Sequence, residues 1–440
     1  MIVRPAKRIR GSLRMPGDKS ISHRAAMIAA LANGVSRIKN YANSTDCAAT
    51  LWCLQQLGVR IDQTENDLVI HGVGIDGLRA PTDAMDCGNS GTTMRLLSGI
   101  LAGQNFVSTL TGDESLCSRP MQRIIEPLEA MGAQISAKDG RAPLTIYGSS
   151  DLKAIDYELL IASAQVKSCI LLAGLHAEGK TTVIENEVTR DHTERMLDFF
   201  GVSIETGKAE REPENARLAA VRGRAQLRAR DVSIPGDISS AAYFIAAAAL
   251  LRGSSLEINE VGANPTRIIF VERLRTLGFD VLTTNISEES NEPRGDIRVS
   301  SLEAPSRGHY KSPFMIQGSQ IPQLIDELPL LVVVGSQIQG GIEIRDAKEL
   351  RVKESDRIAA TVAGLRAMGA KVEEFVDGLR VAGPIRLTGA TIDARGDHRI
   401  VMAFSIAALI ADGETEITDA DCVGVSFPEF FDLLDSAVER

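Results

Sequence analysis

Pro16-Gly17-Asp18-Lys19-Ser20-Ile21-Ser22-His23-Arg24, followed by the run 25–32 and by Asn33-Gly34, is the stretch on which the reading of the fold turns. A turn signal gives way to a Lys/Ser/Ser/Arg cluster, which opens a run of Ala, Met, Ile and Leu that Gly34 is expected to close as a cap. The run is apolar almost all round, so the helix is expected to be buried on most sides. At its N-terminus unpaired backbone N–H groups, the positive end of the helix dipole, two hydroxyls and two cations fall within about one turn, which suits a phosphate or carboxylate. The plain alternative is a solvated cationic loop capping a core helix.

Repetition weighs against that alternative. A polar turn, an Ala-rich or apolar helix and a closing Gly return five more times. Gly88-Asn89-Ser90 opens 91–102, Ser163 opens 164–175 and Pro235-Gly236-Asp237 opens 239–251. Asp326 opens 327–334, and Gly396-Asp397 opens 398–411. The closing glycines Gly34, Gly103, Gly179, Gly253, Gly340 and Gly413 are 69, 76, 74, 87 and 73 residues apart, a six-fold internal repeat. The longest interval is assigned to an extended polar loop over 287–323.

A second, more amphipathic helix follows in each repeat: 45–57, 121–131, 191–200, 266–277, 355–368 and 427–438. The first five stop at Gly58, Gly132, Gly201, Gly278 and Gly369. Triplets such as Val59-Arg60-Ile61 and Ala370-Lys371-Val372 then begin strands with one covered face. Three repeats make a domain. The charge-rich stretch 207–230 is read as the divide, placing one domain at 14–231. The sixth repeat ends without closing strands while 2–13 is an orphan strand. The second domain is therefore expected to be 1–13 plus 232–440, with two crossovers.

Composition narrows the function classes. The chain has 440 residues, 44% hydrophobic and 24% charged, which is globular and too long for one core. A formal charge of −10 argues against nucleic acid, and 4% aromatics leave little for stacking on bases. The N-terminus shows no secretory signal, and the longest apolar run, 241–251, is too short for a membrane span. The six cysteines form no C-x-x-C pair and have no His partners at zinc spacing, so no metal is expected and a reducing cytoplasm is.

The helix openings hold Lys19, Ser20 and Arg24; Asn89, Ser90, Gly91, Thr92, Thr93 and Arg95; Ser163, Gln165 and Lys167; Asp326 and Glu327; and Asp397, His398 and Arg399. Loops add Arg119, Arg190, His192 and the run 353–357. If the buried helices run parallel, their N-termini converge on one face of each domain, and two such faces across a cleft would attract anions strongly. Each cluster alone has a dull reading as a turn, a solvated charge run or a core histidine. Walker loop, nucleophile elbow, Cys–His pair and dinucleotide fingerprint are all missing. Many cations with a few carboxylates, Asp326 and Glu354 foremost, suit small polyanions, carboxylate acid/base work and no covalent nucleophile.

The motifs PGDKSISHR, GNSGTTMR, RPM, SAQVKS, TRDHTE, IDELP, LRVKESDR, DHR and SFPEF, in this order over the full chain, resemble the 5-enolpyruvylshikimate-3-phosphate synthases, and within them a divergent bacterial branch. The resemblance implies a two-domain inside-out α/β barrel, the enolpyruvyl transferase fold, of six βαβαββ repeats, three per domain. It implies transfer of the enolpyruvyl group of phosphoenolpyruvate to the 5-hydroxyl of shikimate 3-phosphate, by a cytoplasmic monomer with no cofactor. Carried over residue by residue, Lys19, Ser20, Arg24, Ser163, Gln165, Arg190, Asp326 and Lys353 would bind shikimate 3-phosphate. Lys19, Asn89, Gly91, Arg119, Gln165, Arg357 and Arg399 would bind phosphoenolpyruvate. Asp326 would take the hydroxyl proton, and Glu354 with Lys19 would handle protonation at the methylene carbon. Ala164 and Val425 depart from the family's usual Ser and Lys. In this family glyphosate occupies the phosphoenolpyruvate site, and the glycine matching Gly91 leaves room for it. Two rivals stay open: the same-fold UDP-N-acetylglucosamine enolpyruvyl transferases, which use a loop cysteine near the place of Cys117, and a non-catalytic anion-binding repeat protein with no use for Asp326.

Overall fold

The computed structural model describes residues 1–64, 67–210, 213, 216–301 and 313–440. It divides into two units. The N-terminal unit is Gly17–Pro235 with Glu288–Glu292, and the C-terminal unit is Met1–Pro16 with Gly236–Ser287 and Pro293–Arg440.

Six apolar helices form the centres of these units. In the N-terminal unit they are Lys19–Leu31, Gly91–Ala102 and Ala164–Gly174, and in the C-terminal unit Ile238–Leu250, Leu328–Gly335 and His398–Leu409. Nearly every residue in them is buried, because each is apolar on all sides and can be satisfied only by other elements around it. The second and third pack along each other closely. A Cβ at Gly99 would stand 2.2 Å from the Cys169 carbonyl oxygen, so the contact needs a residue without one. In the C-terminal unit all three pack against one another.

Five of the six start on a side-chain cap. Asp18, Ser90, Ser163 and Asp237 accept from the backbone N–H three residues on, and Asp397 accepts from Arg399 N–H. The fifth starts differently: a short helix, Ile321–Leu324, precedes it, Asp326 lies in the turn between, and Glu327 at its start makes no cap bond. Gly34 does not cap the first helix. The helix stops at Ala32, and Gly34 (φ 115°) already lies in the strand Asn33–Lys39.

The outer helices are Thr45–Gln56, Gln122–Ala130, His192–Phe199, Ile269–Thr276, Arg357–Ala367 and Phe430–Ala437. Each repeat then turns into a sheet in which one strand joins in parallel and the others pair antiparallel. The N-terminal strands complete the C-terminal unit: Arg10–Arg14 lies parallel to Ser255–Asn259, and Ile2–Val3 pairs with Thr415–Glu416. Conversely Val232–Ser233 lies parallel to Ile38–Lys39 in the N-terminal unit.

Two stretches depart from the sequence reading. Within 207–230, Arg217–Arg222 pairs antiparallel with Ile204–Lys208 and Lys180–Glu185, so part of the stretch is a sheet strand whose two arginines stand at its ends. The loop expected over 287–323 begins as a hairpin, Asp280–Glu289 with Glu292–Ser300. Its turn at Ser290 (φ 55°) and Asn291 (φ 59°) is built from two left-handed residues. Of the remainder, 302–312 lies outside the described residues, and 313–323 is not a loop either but holds the strand Phe314–Ile316, the short turn Gly318–Gln320 and the start of the helix Ile321–Leu324. Among the described residues no helix is long and apolar enough to cross a membrane.

Candidate active site

In the N-terminal unit the first core helix presents Lys19, Ser20 and Arg24 at its opening. Lys19 Nζ lies 2.9 Å from an Asp46 carboxylate oxygen, on the helix that follows. Arg24 is buried and uses its whole fork: Nε donates to Thr193 Oγ1 (2.7 Å), Nη1 to the Ser20 carbonyl (2.8 Å) and Nη2 to Ser168 Oγ (2.9 Å). All these acceptors are neutral. Burial pulls the Arg24 guanidinium down to about 10, Arg190 adds to this, and Glu194, Asp18 and Glu292 oppose it. Arg190 reaches Ser20 Oγ at 3.5 Å.

The second and third openings interlock. Arg95 Nη1 donates to Gln165 Oε1 (2.7 Å), and Gln165 Nε2 donates to Thr92 Oγ1 (2.9 Å). Arg119 is buried and donates to Asn89 Oδ1 at 2.6 Å, while Asn89 donates to Asp113 at 2.8 Å. Gly91 sits beneath these guanidiniums: a Cβ there would lie 2.6 Å from Arg95 Nη1 and 3.4 Å from Arg119 Nη1. Ser163 Oγ caps its helix by accepting from Val166 N–H. Lys167 does not join this group. One turn into the third helix, it is buried between Glu185 (3.1 Å) and Glu194 (2.8 Å), an ion triad that also binds Thr189 and so anchors the segment leading to Arg190.

The C-terminal unit gathers Asp326, Lys353, Glu354, Arg357 and Arg399. Arg357 is 2% exposed; its Nε and Nη2 reach the fully buried Asp397 carboxylate at 2.8 and 3.2 Å, and Nη2 donates to Glu354 at 2.6 Å. Arg357 Nη1 stands 3.5 Å from Asp326, and Arg399 Nη2 3.9 Å from its other oxygen. Burial works against the charge on Arg357, but Asp397, Glu354 and Asp326 outweigh it and raise its pKa. Arg399 is raised likewise, by Tyr243, Asp326 and Glu327 against burial. Lys353 is half-buried and makes no hydrogen bond among the described residues; desolvation lowers its pKa although Glu349, Asp326 and Glu354 pull the other way.

Sequence reasoning passed over the opening of the fourth core helix. There Ser239 donates to Glu327 and accepts from Arg267 (2.5 Å), and Arg267 stands 3.7 Å from Glu327. It also passed over Asp46, although Ser44-Thr45-Asp46 carries the signature of a helix start. The half-buried Cys117 thiol donates to the Gly112 carbonyl at 3.3 Å. Each unit thus presents cations at helix openings, and Asp326 and Glu354 are carboxylates held beside them, able to accept or return a proton.

A family model described as EPSP synthase (3-phosphoshikimate 1-carboxyvinyltransferase) matches residues 3–434. The chain is 50% identical over 439 residues to the 3-phosphoshikimate 1-carboxyvinyltransferase of Koribacter versatilis, covering 100% of this chain and 99% of that one. It is 47% identical over 441 residues to that of a Geobacter species, with 100% and 99% covered. Among solved structures, an EPSP synthase from Acinetobacter baumannii superposes with a TM-score of 0.85 at 40% identity, over 99% of this chain and 97% of that one. The fold is the two-domain inside-out α/β fold of the enolpyruvyl transferases, and the full-length match decides against the cysteine-dependent rival. With the repeats, the openings and these likenesses in agreement from end to end, the chain belongs to the EPSP synthase family.

Proposed function

We propose that the chain transfers the enolpyruvyl group of phosphoenolpyruvate to the 5-hydroxyl of shikimate 3-phosphate, giving 5-enolpyruvylshikimate 3-phosphate and phosphate on the route to chorismate. One observation carries the reading: Asp326, in a member of this family, stands within 4 Å of two buried arginines, Arg357 and Arg399. A binding protein for anions would gain nothing from a carboxylate there, whereas a base for a substrate hydroxyl needs one.

In this reading Asp326 takes the proton as the 5-oxygen attacks C2 of phosphoenolpyruvate. Glu354 delivers a proton to C3, with Lys19 supporting that step. The tetrahedral adduct then expels phosphate as a proton leaves C3 again. Arg119, Arg357 and Arg399 bind the phosphate and carboxylate of phosphoenolpyruvate, with Asn89, Gly91 and Lys19 contributing. Ser20, Arg24, Ser163, Arg190, Lys19, Asp326 and Lys353 hold shikimate 3-phosphate, and Gln165 meets both substrates. The chain acts as a cytoplasmic monomer; its six free thiols suit a reducing compartment, and sedimentation velocity tests the monomer. The deciding assay is phosphate release from phosphoenolpyruvate, expected only when shikimate 3-phosphate is present. Release without it, or none with it, refutes the reading.

A further inference from the structure

A hydrogen-bonded chain runs through the interior of the N-terminal unit. His23 Nδ1 and Thr50 Oγ1 share a bond of 2.6 Å, and Thr50 Oγ1 and Thr93 Oγ1 another of 2.6 Å. The Thr93 hydroxyl donates to Ser90 Oγ at 2.7 Å. Ser90 Oγ also accepts from Thr93 N–H (3.1 Å), and the Asp46 carbonyl lies 3.5 Å from Thr93 Oγ1. His23, Thr50, Thr93 and Ser90 are all fully buried.

Three helices meet in this chain. His23 lies one turn beyond Lys19 on the first core helix. Thr50 lies one turn beyond Asp46, whose carboxylate holds Lys19 at 2.9 Å. Ser90 caps the second core helix and stands between Asn89 and Gly91. With Thr93 donating to Ser90, Thr50 must donate to Thr93 and His23 Nδ1–H to Thr50, so the imidazole is the neutral Nδ1–H tautomer. Its Nε2 accordingly carries a lone pair, and no hydrogen bond from the described residues reaches that atom. Burial, with the Lys19 and Arg24 charges added to it, pushes His23 well below its ordinary pKa and keeps it in that form.

An apolar quartet of the same shape would fill this space at little or no cost in stability. A continuous hydrogen-bonded chain from His23 Nδ1 to Ser90 instead favours one relative placement of the helices that carry it. We propose that His23, Thr50 and Thr93 are positioning residues for the phosphoenolpyruvate site, locking the Asn89–Gly91 turn in register with Asp46 and therefore with Lys19. The proposal rests on the assignment of Lys19, Asn89 and Gly91 made above, and adds residues that touch no substrate.

The test is steady-state kinetics on Thr93→Val, Thr50→Val, the double variant and Thr93→Ser, each with its melting temperature. Thr93→Val keeps the shape and removes the hydroxyl. It should raise KM for phosphoenolpyruvate about tenfold, leave KM for shikimate 3-phosphate within about twofold, and lower kcat by less than about threefold. Thr93→Ser should restore KM to within about twofold. Because both valines cut one chain, the double variant should also sit near tenfold rather than near the hundredfold product of two independent effects. Unchanged KM in both single variants, an equal rise for both substrates, or a multiplicative double variant overturns the proposal. So does a fall in kcat that tracks melting temperature alone, since that marks a structural role. The wild-type enzyme in the same assay separates the two levels: if it releases no phosphate, the site assignment falls and takes the proposal with it.

Discussion

The two units bury their arginines in opposite ways. Arg24 is 3% exposed and Arg357 2%, yet the first is bound by two hydroxyls and a carbonyl and the second by the carboxylates of Asp397 and Glu354, with Asp326 near. Arg95 and Arg119 follow the first pattern, bonding to amide and hydroxyl oxygens of Gln165, Asn89 and Ser115. Arg399 follows the second, near Asp326 and Glu327. Two lysines of that unit depart from its pattern: Lys19 is paired with Asp46, and Lys167 with Glu185 and Glu194. Burial lowers Arg24 to about 10, whereas Arg357 is raised because its acid neighbours overcome the same desolvation. Neutral partners orient a cation without cancelling its charge, so it remains available to an anion. Carboxylate partners offset part of the charge and are themselves held in place by it, a setting that suits an acid/base group; in the proposed function Arg357 and Arg399 bind a substrate anion as well.

The sharpest way to break this contrast is to neutralise the carboxylate at its centre. Asp326→Asn keeps the shape and removes the proposed base, so kcat should fall about 10²–10⁴-fold with KM for either substrate changed far less. Rapid-quench measurement of phosphate release checks it. Near-normal turnover in a folded variant would mean that the acid-lined side does no proton transfer at this residue.

A second contrast lies in stability. Arg357→Met strands the fully buried Asp397 carboxylate and should cost about 3–5 kcal/mol. Arg24→Met leaves hydroxyls that still bond each other, Ser168 with Thr193 at 2.6 Å, and should cost only about 1–3 kcal/mol. Urea unfolding of both variants decides. If Arg24→Met is the more destabilising, charge compensation is not what separates the two sides.

At Gly91 the comparison can be sharpened. An added methyl would meet the Arg95 and Arg119 guanidinium ends, not backbone, so Gly91→Ala should fold and push Arg95 away from Gln165. A methyl forced into a packed site costs about 1–3 kcal/mol, or about 5- to 150-fold in affinity. Glyphosate should lose more of this than phosphoenolpyruvate, and inhibition constants measured against varied phosphoenolpyruvate would show it. An unchanged inhibition constant removes the steric argument.

The pattern that revealed the repeats was physical at its source. Helices apolar all round, such as 241–249, must be enclosed, and their Asp and Ser caps and following glycines mark both ends in the sequence. Other features had no such marker. The hairpin 280–300 has one strand exposed along most of its length, so it shows little alternation, and only Ser290-Asn291 hinted at its turn. Lys167 looked like one more cation at a helix opening; its partners Glu185 and Glu194 lie on a strand and a helix that only the fold brings beside it. Asp397 and Arg357 were both visible as polar residues in the sequence. Their being one buried pair was not, because nothing local couples residues on two different helices.

Lys353 gives the smallest effect and the finest test. It lies among acids, yet unlike Arg357 its pKa is lowered, because desolvation outweighs Glu349, Asp326 and Glu354. A lysine with a lowered pKa loses its proton earlier than usual as the pH rises. Phosphate affinity supplied by its ammonium is therefore present below that pKa and lost above it. KM for shikimate 3-phosphate should rise by about tenfold or less between about pH 7 and pH 10, beginning below the ordinary lysine range. The bound phosphate favours the ammonium form, so binding in that window should take up a proton. Calorimetry in two buffers of different ionisation enthalpy measures that uptake directly. In Lys353→Arg the charge persists, so both the alkaline rise and the proton uptake should vanish. If they survive the substitution, they belong to another group and Lys353 does not carry the phosphate.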